Sequence, residues 1–172
     1  LTTILRVGDE NTVALPSLLR LVRERDGTLD NFLADMERRA QATDAQAAGA
    51  HFILAEVRRQ NGRLDDAITH YRRAAELLPQ NPSPLRAAGD VYRQMDRPAD
   101  ADTFYQRALT LTPAGASQAD LLRALMEMAL VRGEVAQART WHQRLIASQP
   151  GNTSVRRELA ESLLARRMYP EA

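Results

Sequence analysis

The chain has 172 residues, 44% hydrophobic and 26% charged, which is the make-up of an ordered, soluble-type protein and not of a disordered one. Its 23 basic and 22 acidic residues leave a net charge of +1, so charge gives no nucleic-acid footprint, and no apolar run approaches the roughly 18–20 residues that span a bilayer. It contains no cysteine, which excludes disulfides, thiolate catalysis and cysteine-ligated zinc but leaves reducing cytoplasm and bacterial periplasm both open.

Residues 1–12, beginning "LTTILRVGDENT", lack the apolar core and cleavage site of a secretory signal. Because the chain starts at Leu1, they are expected to be a leader remnant or the end of an upstream region. Residues 15–41 read as a helix, a turn at Asp26-Gly27 and a second helix, with Leu29, Phe32, Leu33 and Met36 forming an apolar stripe on the second. Residues 42–47 are either a linker or the opening of the next helix.

From residue 48 the sequence repeats itself. Ala67, Tyr71, Ala74 and Pro79 recur 34 residues later as Ala101, Tyr105, Ala108 and Pro113. A third copy has Ala138, His142, Leu145 and Pro150, offset by a further 37 residues, and a fourth places Ala172 34 residues after Ala138. Each copy also has an upstream helical half. Leu85, Ala88, Gly89 and Tyr92 fall at i, i+3, i+4 and i+7, as do Leu122, Leu125, Met126 and Ala129. Leu54, Ala55 and Val57 mark the first copy, and Leu159, Ala160 and Leu163 the fourth. Asn61-Gly62, Asp96-Arg97-Pro98 and Arg132-Gly133 supply the turns between halves. Each unit is therefore a helix, a short turn, a second helix and a terminating proline. The small alanines let neighbouring helices approach while the ring beside them fills the remaining space. A unit of this kind buries its apolar face only against a stacked neighbour.

This arrangement resembles the tetratricopeptide repeat family, over residues 48–172. The second copy matches best, through Leu85, Gly89, Tyr92, Ala101, Tyr105, Ala108 and Pro113. The first departs at His51 and Arg58, and the third at His142 and Leu145. The resemblance implies an all-α, right-handed α-solenoid of stacked antiparallel helix pairs. About three and a half units are expected, at 48–81, 82–118, 119–152 and a truncated 153–172. Residues 13–47 become a degenerate repeat or helical cap, with Phe32 where the other copies have alanine.

No catalytic constellation accompanies the repeat. His51, His70 and His142 have no metal-ligand spacing, and no phosphate-binding loop or nucleophile elbow occurs. Asp65, Asp66, Asp100 and Asp102 stand near expected helix starts, where they favour the helix dipole. Trp141 is expected to pack against the following helix. The expectation is a non-enzyme, with no metal or cofactor.

The resemblance implies that ligand contacts come from the first helix of each unit, on a concave face. Carried over by register, those positions are Phe52, Glu56, Arg59 and Gln60; Arg86, Asp90, Arg93 and Gln94; Arg123 and Glu127; and Arg157 and Glu161. Within helices, Arg86 can reach Asp90, Arg123 can reach Glu127, and Arg157 can reach Glu161. One outcome is a groove in which arginine forks grip a peptide bearing carboxylates and basic groups. The other is a solvated face whose charges satisfy one another. Phe52 and Glu56 occupy positions where one subfamily carries a lysine and asparagine clamp for chaperone C-termini, so that specific ligand is not implied. Phe52 could instead anchor an apolar side chain.

A non-catalytic scaffold for a protein or peptide partner follows. An architectural or self-assembling module is the alternative, with a homo-oligomer formed through the C-terminal edge of the fourth unit. RNA binding by a related helical repeat is disfavoured by the repeat signature and the near-neutral charge. All 23 basic residues are arginine, which points either to bacterial GC-rich codon usage or to a surface selected for bidentate recognition.

Overall fold

The computed structural model describes residues 11–168, and every regular element among them is helical. In chain order these are α1 (Asn11–Asp26), α2 (Asp30–Arg39), α3 (Ala45–Gln60), α4 (Leu64–Leu77), α5 (Ser83–Gln94), α6 (Pro98–Leu111), α7 (Ala116–Val131), α8 (Val135–Ser148) and α9 (Val155–Ala165). The expected all-α class of stacked helix pairs is observed. The expected leader, apart from its last two residues in α1, and the fourth registered alanine at 172 lie outside the described residues.

The repeat is written into the helix ends. The second helices stop at Leu77, Leu111 and Ser148, each two residues before Pro79, Pro113 or Pro150. Proline clashes with a helical conformation of the residue before it, so the helix ends upstream. The turns inside the units share one hydrogen-bond pattern. Arg63 N–H donates to Arg58 C=O at 2.9 Å, Arg97 N–H to Tyr92 C=O at 2.9 Å, Glu134 N–H to Ala129 C=O at 2.8 Å, and Met168 N–H to Leu163 C=O at 2.9 Å. This is the Schellman closure, which requires a left-handed residue just before the donor. Gly62 and Gly133 supply it at φ 74° and 78°, while Asp96 and Arg167 adopt it without being glycine, at 54° and 55°. Residues 45–47 belong to α3, because the Asp44 side chain caps that helix by accepting from Ala47 N–H at 2.8 Å.

The helices form two compact units, one ending at Val91 and the other beginning at Tyr92. In the first, α2 packs on α3 and α3 on α4. Leu15, Leu19 and Val22 of α1 join Leu29 and Met36 against Ala50, Ile53, Leu54 and Val57 of α3. The predicted stripe of Leu29, Phe32, Leu33 and Met36 therefore closes over α3. Ala67, Tyr71 and Ala74 of α4 have no exposed surface. Tyr71 donates its hydroxyl to Glu56 of α3, and burial, reinforced by that carboxylate, pushes the phenol well above its ordinary pKa.

His51 and His70 stand 19 residues apart in sequence, yet their Nδ1 atoms meet at 2.9 Å across the α3–α4 seam. One nitrogen donates and the other accepts, so the contact holds only while at least one ring lacks its second proton. Burial lowers both pKa values. For His51, the neighbouring His70 and Arg73 add to the lowering, while the Ala40 carbonyl and Glu76 oppose it. For His70, Arg58 adds to it, while Asp66 and Glu37 oppose it.

In the second unit, α6 packs on α7, α7 on α8 and α8 on α9. Ala101, Tyr105 and Ala108 are buried, as are Ala138, His142 and Leu145. His142 does more than replace an aromatic ring, because its Nε2–H donates to the Val155 carbonyl at 2.6 Å and ties α8 to α9. Trp141 beside it is also buried, with the Arg144 guanidinium 5.0 Å from its ring centroid. Asp65, Asp66 and Asp100 lie in the first turns of α4 and α6 as expected. Asp102 departs from that expectation. It is buried beyond the first turn, accepts from Gln106 Nε2 at 2.6 Å, and faces Arg132 Nη2 of the α7 end at 3.4 Å. Arg132 also reaches the Pro98 carbonyl at 3.3 Å, so this pair joins α6 to the α7–α8 turn. A charge buried between helices needs a partner more than it needs a dipole.

Two predictions follow from this packing. Ala101→Leu overpacks the α6 seam and lowers stability by about 1–3 kcal/mol in urea unfolding. The His51–His70 pair makes stability pH-dependent. Because the folded pKa values lie below the unfolded value of about 6.5, the unfolded chain binds more protons, so the contribution is whole above that pH and is lost as pH falls through the depressed values. His51→Gln combined with His70→Gln should flatten the loss of stability between neutral and mildly acidic urea titrations. An unchanged loss would contradict the assignment.

Candidate functional site

In the first helices of successive repeats, the side chains not committed to the core are those free to meet a ligand. Helices α7 and α9 provide the clearest case, because both belong to the second unit and an open groove of about 440 Å³ runs between them. Arg123, Met126, Glu127 and Leu130 line it from α7, and Glu158, Glu161, Ser162 and Ala165 from α9, with Arg166 at the end. Each helix contributes positions i, i+3, i+4 and i+7, the stripe that one helical face presents. Met126 and Leu130 are nearly buried and form an apolar floor, while the charged residues form the walls.

The wall charges do not pair as the within-helix spacing suggests. Arg123 engages Glu158 with a fork, Nε to Oε2 at 2.9 Å and Nη2 to Oε1 at 3.1 Å, and touches Asp120 at 3.3 Å. The Glu158 hydrogen bond holds the guanidinium above its ordinary pKa. A bidentate, partly buried pair across helices outcompetes the expected exposed contact with Glu127. Glu127 instead meets Arg93 at 3.4 Å and Arg166 at 3.6 Å. On α9 the residue facing Arg123 is Glu158, one position beyond the expected Arg157. Arg157 and Glu161 are both exposed and, among the described residues, form no ion pair with each other.

The remaining predicted positions divide between the units. In the first unit Glu56 accepts from Arg59 Nη2 at 2.7 Å as well as from Tyr71. Phe52 is half-buried and meets the Tyr71 ring edge-on at 5.4 Å, so it is part of the α3–α4 packing. Gln60 and Asp90 are exposed and Arg86 is half-buried. In the second unit Gln94 is exposed at the end of α5. The structure thus brings together Arg123, Glu127 and Glu161. It adds Met126, Leu130, Glu158, Ser162, Ala165 and Arg166, which a search by i, i+4 charge pairs does not find. The full i, i+3, i+4, i+7 lattice on α7, carried 35 residues onto α9, contains five of those six, all but Arg166.

Among the described residues, no three His, Cys, Asp or Glu side chains converge as a metal site, and no helix is long and apolar enough to cross a membrane.

Two family models, both described as tetratricopeptide repeat, match residues 45–114 and 86–153. Among curated proteins, none matches the sequence significantly. Several solved structures share the fold. The first tetratricopeptide domain of Spaghetti (RPAP3), bound to the HSP90 peptide SRMEEVD, is 19% identical with a TM-score of 0.58, over 72% of this chain and 96% of that one. The N-terminal domain of stress-induced protein-1 from C. elegans is 18% identical with a TM-score of 0.61, over 67% and 93%. A MamA structure is 17% identical with a TM-score of 0.65, over 94% and 85%.

Proposed function

The chain belongs to the tetratricopeptide repeat family, and on that premise we propose that it is a non-catalytic scaffold that holds a peptide segment of a partner protein along its first-helix faces. The α7–α9 groove carries this reading: an apolar floor walled by charged side chains, between the first helices of consecutive repeats. Such a surface offers an extended segment both burial and orientation. The capture of an HSP90 peptide by a domain of the same fold supports it. The first unit contributes less, since Phe52 and Glu56 already serve its internal packing.

The test is selection from a displayed library of random dodecapeptides. Peptides that bind the intact chain should lose at least about tenfold in affinity to Ala165→Arg, which fills the groove from an exposed position. They should bind Gln137→Arg, on the exposed surface of α8, as they bind the wild type. Peptides indifferent to Ala165→Arg would place binding elsewhere.

A further inference from the structure

The geometry points to a cationic side chain, an arginine or lysine of the bound peptide, as the occupant of the α7–α9 groove; this rests on the scaffold reading above and names the chemistry of its ligand. Three carboxylates, Glu127, Glu158 and Glu161, line the groove against two guanidinium groups, Arg123 and Arg166. Arg123 is already committed, its fork filled by Glu158 and a further nitrogen shared with Asp120. An incoming carboxylate would therefore have to break a bidentate, partly buried pair before Arg123 could grip it, while facing the other two acids.

A cation meets the opposite situation. Glu161 is exposed and has no ion-pair partner among the described residues. Among the described residues, Glu127 is held by long contacts at 3.4 Å and 3.6 Å, from Arg93 and from Arg166. The Arg166 contact is an internal copy of the one proposed: a guanidinium laid at the groove end against Glu127. Ligand arginine would replace this exposed and weak pair at little cost. Met126 and Leu130 give the floor for its aliphatic stem, and the exposed Ala165 leaves the way in open. Lysine or arginine combines such a stem with a charged head; glutamate has a shorter stem and the wrong sign.

The experiment uses the library-selected dodecapeptides, fluorescein-labelled, with the intact chain and with Glu161→Gln and Glu161→Arg. Both changes lie at an exposed helical position, and far-UV circular dichroism of each variant checks that helicity is kept. The selected peptides should share a basic residue. Glu161→Gln should weaken them about five- to tenfold and Glu161→Arg further, with affinity falling as salt rises. Replacing the shared basic residue by glutamine should abolish the difference between wild type and Glu161→Gln. Selected peptides that bind Glu161→Gln undiminished, or whose shared residue is acidic, overturn the cationic ligand while leaving the scaffold intact. If no peptide is selected by any of the proteins, the scaffold reading fails and this inference fails with it.

Discussion

Ala67, Ala101 and Ala138 have no exposed surface, and each sits one helical turn before a buried ring at 71, 105 or 142. A methyl group at these positions sets how near an adjacent helix can come, and the ring takes up the room left beside it. Where the ring carries a polar atom, that atom is used as well. Tyr71 bonds back to Glu56 in its own unit, and His142 bonds forward to the Val155 carbonyl at the start of α9. The seam thus determines both the spacing of the helices and the direction in which each pair is tied. Because the second helices spend their small and aromatic residues on this seam, the first helices are left to present charged side chains outward.

Much of this was legible in the sequence because it depends on side-chain size at fixed spacing. The alanines, the terminating prolines and the glycine turns locate α4, α6 and α8 with their ends. The turn after α9 was not legible, since nothing about Arg167 announces a left-handed residue. Its conformation is imposed by the same closure that Gly62 and Gly133 adopt freely, and Asp96 shows that the closure tolerates a side chain. Asp102 was misjudged for a related reason: its place in the sequence suggests a helix start, but its burial against Arg132 is a tertiary fact.

The site was legible only as a set of helices. Register carried Arg123, Glu127 and Glu161 to the groove, yet pairing by i, i+4 assigned Arg123 the wrong carboxylate. Which acid a guanidinium takes depends on what the neighbouring helix offers, and α9 offers Glu158 at fork geometry. That choice also changes the chemistry expected of the groove. Arg123, expected to offer its fork to an anion, is instead neutralised by Glu158. In the first unit a parallel displacement occurred, with Phe52 and Glu56 drawn into contact with Tyr71.

The central claim is that second helices build the stack and first helices bind. Amide hydrogen exchange of the intact chain, with and without a library-selected peptide, tests it directly. The account predicts slowed exchange in α7 and α9 on binding, with α8 unchanged. Protection confined to α6 or α8, with α7 and α9 indifferent to the peptide, would contradict it.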